Sequence, residues 1–245
     1  MRQDKQQPND KERPGGRVVV KQERSERTRR NLIRAASTVF DQSGYERATL
    51  SSISERAQVT KGALFFHFAA KSDLARAVQA EACATSAAAL VRLARRETPA
   101  FEIATAMAHT LVGLLETDVT VRAGARLTQE IRTPDDPSIH CRLNWLGALH
   151  RTLSRARNDG SLLPDVDVRA AAVLMLSMIT GTTALPRLPT DPSSSSTPPL
   201  PHQPRRSGPH SLRETGDQWL TRMLHLTRPA LSPCRGTPRQ PGRAR

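Results

Sequence analysis

The sequence predicts an all-α protein of about nine helices, and three observations point to this fold class. Apolar residues from Ser25 onward recur at intervals of three and four positions, which is the period of an amphipathic helix. The central part of the chain lacks the strict alternation typical of a half-buried strand. Aromatic residues make up only 3% of the chain and 12 of the 18 prolines lie in 186–245, which disfavours an all-β sandwich.

The first predicted helix begins at Ser25 or Glu26 and ends at Gly44, which suits the C′ position. Thr49 is expected to cap a short second helix, and Thr60 a third helix over 61–66. Two short helices joined by a three- to four-residue turn have the dimensions of a helix-turn-helix. We expect Phe65, Phe66 and Phe68 to anchor it against the first helix.

Residues at the start of the third helix have the chemistry needed to read DNA. Lys61 can donate to guanine, and Gly62 permits close approach of the backbone to bases, which justifies a glycine in a helix. DNA phosphates can bind to the threonine caps and to the N–H groups at the helix starts. His67 and Lys71 can reach further phosphates. Alternatively, Gly62 is a packing glycine and Lys61 and His67 are solvated surface residues. The predicted DNA-binding residues are Thr49, Ser51, Thr60, Lys61, Gly62, Ala63, Phe65, His67 and Lys71.

The fourth helix, capped by Ser72 with help from Asp73, is expected to run to about Arg95. Further helices are predicted over 101–115, 119–131, 143–158, 168–183 and 214–226, with Asp118 and Asp167 as caps. Their apolar residues indicate a core or the lining of a ligand pocket. Trp145 suits a pocket wall for an apolar ligand with a polar head. We predict a ligand site from Trp145, Val173, Ser177 and Thr180, although Ser177 and Thr180 could instead back-bond to their own helix.

The net charge of +14 is divided unevenly along the chain. Residues 1–71 carry a net +7, residues 72–185 are neutral, and residues 186–245 carry a second net +7. Cationic surface attracts polyanions, of which nucleic acid is the commonest partner. We therefore expect a disordered basic tail at 1–24, a DNA-binding domain at 25–71 and a ligand-binding and dimerisation domain at 72–228. A disordered Pro/Ser-rich insertion at about 186–211 and a disordered basic tail at 229–245 complete the prediction.

Other classes of function lack support in the sequence. The three scattered cysteines lack CxxC spacing, which indicates a reducing compartment and neither a disulfide framework nor a zinc site. Motifs for nucleophilic, metal-dependent or phosphate-loop catalysis are missing, and His109 and His150 have no ligand-spaced partners. We expect no enzyme activity, no cofactor and no metal. Because neither a signal peptide nor an apolar run of spanning length is visible, we expect a cytoplasmic protein without a membrane partner.

The run from Thr49 to Phe68, followed by Lys71-Ser-Asp-Leu74, resembles the DNA-binding unit of TetR-family repressors, and the resemblance covers about 25–82. Two positions depart from the family pattern. Gln58 stands where the family usually has glycine, which implies a slightly strained turn. Phe65 stands where it usually has tyrosine, so a phosphate-contacting hydroxyl is missing.

The second half is similar to the γ-butyrolactone receptors and pseudo-receptors of antibiotic-producing actinomycetes. The residues that carry this resemblance are Trp145, Leu153, 165–168 and 180–182. The resemblance implies that Trp145 lines the pocket and that the last two long helices form a homodimer. It implies a repressor that binds a pseudo-palindromic double-stranded DNA operator and is released by a small apolar signal, controlling secondary metabolism. The alternative is a basic protein that binds nucleic acid without sequence preference or ligand control.

Overall fold

The computed structural model describes residues 14–131, 139–184 and 215–232, with side chains described from residue 22 and, in the second range, up to residue 182. These ranges contain nine α-helices, which confirms the all-α prediction. In chain order they are α1 Pro14–Arg47, α2 Leu50–Ala57, α3 Lys61–His67, α4 Lys71–Ala94, α5 Ala100–Thr117, α6 Val119–Glu130, α7 Cys141–Asn158, α8 Val168–Ala184 and α9 Gly216–Leu231.

Side-chain caps begin several of these helices, as the sequence predicts. Thr49 accepts from the Ser52 N–H, and Thr60 accepts from the Ala63 N–H. Asp118 caps α6, and Asp167 accepts two N–H groups at the start of α8. The predicted Ser72 cap is wrong: the N-cap of α4 is Ala70, two residues earlier, and the Asp73 carboxylate accepts from the Ala70 N–H.

The first helix is longer than predicted, since α1 begins at Pro14 and not at Ser25. The expectation of a disordered tail through residue 24 is therefore wrong for 14–24. Proline suits a first helical turn, where an N–H has no acceptor, so Pro14 is a physically sound start. Residues 1–13 lie outside the described part.

Gly44 breaks the helical path near the end of α1, with φ 75° and ψ 175°. A Cβ at this position would lie 2.7 Å from Nη2 of Arg126 and 2.8 Å from Oε1 of Glu130. Both the positive φ and the close approach of α6 therefore require glycine, as the sequence predicts for the end of this helix.

The C-terminal helix α9 also extends further than predicted. It is capped by Thr215 and runs to Leu231, so 229–231, expected to be disordered, is helical. Its start is tied to α5, because Asp217 lies 2.5 Å from Nδ1 of His109 and Glu116 accepts from the Gly216 N–H. The predicted insertion at 186–211 and the tail from 233 to 245 lie outside the described residues.

Two apolar cores share the molecule. One joins α1, α2, α3 and the first part of α4 with Ala123 and Leu127 of α6. The other is formed by the rest of α4 with α5, the start of α6, and α7, α8 and α9. Helix α6 therefore packs in both cores. Within the described ranges, no helix is long and apolar enough to cross a bilayer.

Polar contacts also join α6 to the first unit. The Arg122 guanidinium donates to both oxygens of Asp41 in α1 at 2.9 and 3.0 Å through Nε. Arg126 donates to the Asp41 carbonyl, and Glu130 accepts from the Tyr45 N–H at 2.6 Å. These contacts hold the end of α1 in one orientation on α6.

Candidate DNA interface and ligand groove

The turn between α2 and α3 fixes the relative orientation of the two helices. Ile53, Ala57 and Leu64 are buried between α1, α2 and α3. The Asn31 amide of α1 donates to the Ala57 carbonyl at 2.8 Å. Gln58 adopts φ 55° and ψ 42°, a left-handed conformation that glycine adopts without strain. The strain that the resemblance implies for this turn is therefore present.

The start of α3 faces solvent. Thr49, Thr60, Lys61 and Gly62 are exposed, and Ser51 and Ala63 are half-buried. A Cβ on Gly62 would meet only the Thr60 hydroxyl, at 3.9 Å. Packing within this chain therefore does not require glycine at position 62, which disfavours the packing-glycine alternative and favours close approach of an external partner.

Two of the three phenylalanines do not pack as predicted. Phe68 is buried and the Arg29 guanidinium lies over its ring, but Phe65 and Phe66 are 52% and 80% exposed. The reason is helical spacing: Leu64 and Phe68 share the inward face of α3, and the residues between them point away. Phe66 stands edge-on to the half-buried His67 ring, so it adds an exposed aromatic to this surface that the sequence analysis did not include.

Lys71 does not extend toward a phosphate. Its Nζ donates to the carbonyls of Tyr45, Glu46 and Ala48 at 2.9, 3.3 and 3.2 Å, and it lies 4.4 Å from the centroid of the Tyr45 ring. All three ammonium donors are used inside the protein. Lys71 therefore closes the end of α1, whose last carbonyls have no helical partner, and its contact with DNA stays a prediction that these bonds disfavour.

The cavity that contains Trp145 is a groove of about 580 Å³ on the surface between α4 and α7. Val91 and Leu143 are exposed along it, and Leu90 and Met107 are buried beneath it. Its polar residues are Asn144, Arg151, Thr152 and Arg155. An apolar trough with a few polar groups suits a small amphipathic molecule.

Trp145 itself is 1% exposed, and its Nε1 donates to the Ser86 hydroxyl at 2.9 Å. Ser86 in turn donates to the Ala82 carbonyl of α4. The indole N–H therefore forms a hydrogen bond between α7 and α4 in this conformation. A ligand in the groove would reach the indole ring only if these two helices moved apart.

The other three predicted ligand residues lie elsewhere. Val173 and Ser177 are exposed on α8, and none of the three predicted α8 residues lines the groove. Thr180 donates to the Leu176 carbonyl at 3.0 Å, which confirms the back-bonding alternative for that residue. The structure does not bring Val173, Ser177 and Thr180 to the groove of Trp145, because the buried face of α8 carries Ala172, Met175 and Ile179, and their role in ligand binding stays a prediction.

The fold also brings together two of the three cysteines, which the sequence analysis treated as scattered. The sulfurs of Cys83 in α4 and Cys141 in α7 lie 2.6 Å apart. Sequence spacing gave no signal of this, since the residues are 58 positions apart. Among the described residues, no three His, Cys, Asp or Glu side chains are grouped to hold a metal ion.

A three-helix unit with a helix-turn-helix and an exposed third helix, followed by a helical body with an apolar groove, has the architecture of the helix-turn-helix class of transcriptional regulators. The sequence profile of the tetR family of bacterial regulatory proteins matches residues 32–78. The chain belongs to this family, and within it to the branch of the γ-butyrolactone receptors.

Three similar proteins carry this assignment. The A-factor receptor protein of Streptomyces griseus is 34% identical over 163 residues, which are 66% of this chain and 56% of that protein. The chain thus aligns with little more than half of that relative. The crystal structure of a gamma-butyrolactone receptor (ArpA-like protein) has a TM-score of 0.58 and 33% identity, and the match covers 64% of this chain and 81% of that one. CprB from Streptomyces coelicolor, in complex with its biological operator sequence, has a TM-score of 0.66 and 28% identity, and the match covers 86% of this chain and 90% of that one.

Proposed function

We propose that this protein is a homodimeric transcriptional repressor that binds a pseudo-palindromic operator and is released by a small apolar signal of the γ-butyrolactone or antibiotic type. The single observation that carries the proposal is the exposed start of α3, where Lys61 faces solvent and, among the described residues, a Cβ on Gly62 would meet only the Thr60 hydroxyl. Similarity to CprB, whose structure is described in complex with its biological operator sequence, supports it. Control of secondary metabolism in the cytoplasm belongs to the same proposal.

DNA contact would divide between the residues of α2 and α3. Lys61 would donate to a guanine edge in the major groove, with Gly62 allowing the approach. The hydroxyls and N–H groups at the starts of α2 and α3, which include Thr49, Ser51 and Thr60, would receive phosphates. Ala63, Phe65 and the half-buried His67 flank this surface, and Phe66 offers a ring for contact with thymine methyl groups.

The dimer would form through α8 and α9. Val173 and Leu174 on α8 are 49% and 41% exposed, and Leu226 on α9 is 80% exposed. Exposed apolar side chains on two helices that pack against each other suit a partner surface, and a two-fold dimer would provide one. Two recognition helices then meet successive major grooves of one operator.

Release would follow from ligand entry between α4 and α7. A ligand that fills the groove and reaches the Trp145 ring has to separate these helices, and α4 leads directly from α3. Because the ligand then binds one arrangement of α4 more tightly than the other, it shifts the population away from the DNA-binding spacing.

Operator binding is tested by selection of duplexes from a random double-stranded library, followed by fluorescence anisotropy at physiological salt. We expect a two-fold symmetric consensus, and Lys61→Ala to lose about 10- to 100-fold in affinity for it. Arg157→Ala, which removes one positive charge from the end of α7, is the matched control and should bind as the wild type does. Equal affinity for all duplexes with a steep salt dependence would instead establish the non-specific alternative.

Ligand binding is tested by Trp fluorescence in a Trp219→Phe background, so that Trp145 alone reports. We expect synthetic γ-butyrolactones with alkyl chains of graded length to change the emission and to release the operator at the same concentration. Leu143→Glu places a charge on the apolar side of the groove and should weaken both responses together. Release of the operator without any change in Trp145 emission would place the ligand elsewhere.

A further inference from the structure

The strongest unexplained feature is the buried thiol pair between α4 and α7. Cys83 is 7% exposed and Cys141 is fully buried, and both are free thiols with their sulfurs 2.6 Å apart. A disulfide needs a separation of about 2.05 Å, so a movement of about half an ångström brings the two sulfurs to bonding distance. The helices that carry them are the two walls of the groove.

The two thiols differ in acidity. The pKa of Cys83 is lowered, chiefly by its hydrogen bond with the Cys141 thiol and to a smaller extent by one with the Asn144 side chain, against the opposing effect of burial. The pKa of Cys141 is raised by the same thiol–thiol contact and by its burial. Cys83 is therefore the more acidic thiol of the two and the better candidate for the nucleophile, and Cys141 is the partner that resolves the oxidised sulfur.

Neighbours of the thiol pair on both helices line the groove. Ala87, one helical turn further along α4, lines the groove, and so does Asn144, one turn beyond Cys141. Ser86, which accepts from the Trp145 indole, also donates to the Cys83 carbonyl, so the pair is part of the same α4–α7 contact.

We propose that Cys83 and Cys141 are an oxidation site, at which a hydroperoxide forms a disulfide that ties α4 to α7. The Cys83 thiolate attacks one oxygen of hydrogen peroxide: an S–O bond forms, the O–O bond breaks, and the hydroxide released is protonated to water. Cys141 then attacks the sulfenic sulfur: the S–S bond forms, the S–O bond breaks, and the leaving hydroxide takes the Cys141 proton. Two thiols and one peroxide give one disulfide and two waters.

The disulfide would restrict the movement of α4 relative to α7. Helix α4 leads from the DNA-binding unit into the body, and the disulfide would fix it against α7 beside Trp145. The chemistry of the site stands independently of the proposed repressor function, since it needs only the reduced fold.

The test is hydrogen peroxide titration of the full chain in a Cys234→Ser background, followed by intact mass and by thiol titration in denaturant. We expect a loss of 2 Da and of both thiols together, reversed by dithiothreitol. The oxidised form should melt higher, by on the order of 5–10 °C, because the bridge constrains the unfolded chain. Two retained thiols, a gain of 32 Da from sulfinic acid, or a disulfide between two chains would each overturn the proposal.

Two single variants assign the roles of the sulfurs. In Cys141→Ser, Cys83 should stop at a sulfenic acid that dimedone traps, whereas Cys83→Ser should leave Cys141 unmodified at the same peroxide concentration. Serine is close in size to cysteine, so both variants are expected to fold, and circular dichroism checks this. Dimedone labelling of Cys141 but not of Cys83 would contradict the assignment.

Discussion

The recognition helix and the groove around Trp145 depend on the rest of the molecule in opposite ways. Lys61 and Gly62 lie at an exposed helix start whose cap, Thr60, is the preceding residue. Trp145 is buried, and its contacts come from α4, 59 positions away in the sequence. Substitution at the first site should therefore change binding alone, whereas substitution at the second should change stability as well.

The largest expected effect is at Trp145, and it concerns stability. Trp145→Ala should lower the free energy of unfolding by about 3–5 kcal/mol, because it empties a fully buried site and leaves a cavity. Chemical denaturation at fixed protein concentration measures this, since a dimer makes apparent stability concentration-dependent. Trp219→Ala, at a half-buried position of α9, is the comparison and should cost less than half as much. A loss below 1 kcal/mol at Trp145 would show that the α4–α7 contact is loosely packed.

The opposite behaviour is expected at Gly62. Gly62→Leu should leave stability unchanged or raise it by up to about 1 kcal/mol, because leucine favours a helix and a Cβ here meets only Thr60. The same change should reduce operator affinity by about 100-fold, as the side chain occupies the space that a base edge needs. Anisotropy and thermal melting measure the two effects. Gly113→Ala, in the interior of α5 where a Cβ meets nothing within 4 Å, is the control: it should raise stability by up to about 1 kcal/mol for the same reason and leave operator affinity unchanged. Unchanged operator affinity in Gly62→Leu would remove α3 from the interface.

Substitution of Lys71 tests whether this residue contributes to stability, as Trp145 does, or to DNA binding, as Lys61 does. Lys71→Met should cost about 1–3 kcal/mol in stability, because three carbonyls at the end of α1 lose a charged donor. Lys61→Met, the exposed counterpart, should stay within about 0.5 kcal/mol of the wild type. If Lys71→Met instead weakened operator binding at unchanged stability, the phosphate contact predicted from the sequence would be restored.

The outcome for particular residues shows what the sequence could and could not predict. The caps at Thr49, Thr60, Asp118 and Asp167 were predictable because a cap and the N–H groups it binds lie within three positions of each other. Val173, Ser177 and Thr180 were misplaced because helical spacing defines a face but not the element that the face meets. Lys71 and the Cys83–Cys141 pair depend on contacts between distant segments, for which a single sequence carries no local signal.

The smallest expected effect is at Gln58, where the sequence and the structure agree on a strained turn. Gln58→Gly should raise stability by about 0.5 kcal/mol, since relief of the left-handed backbone is partly offset by the greater freedom of glycine in the unfolded chain. Gln58→Ala keeps the Cβ and should give no gain, which separates backbone strain from loss of the amide. Differential scanning calorimetry of the three proteins side by side resolves the shift.

Because the turn sets the angle between α2 and α3, Gln58→Gly should also leave operator affinity within about twofold of the wild type if φ and ψ are retained. A large change in affinity with little change in stability would mean that Gln58 itself touches DNA, and would extend the exposed binding surface from α3 into the turn.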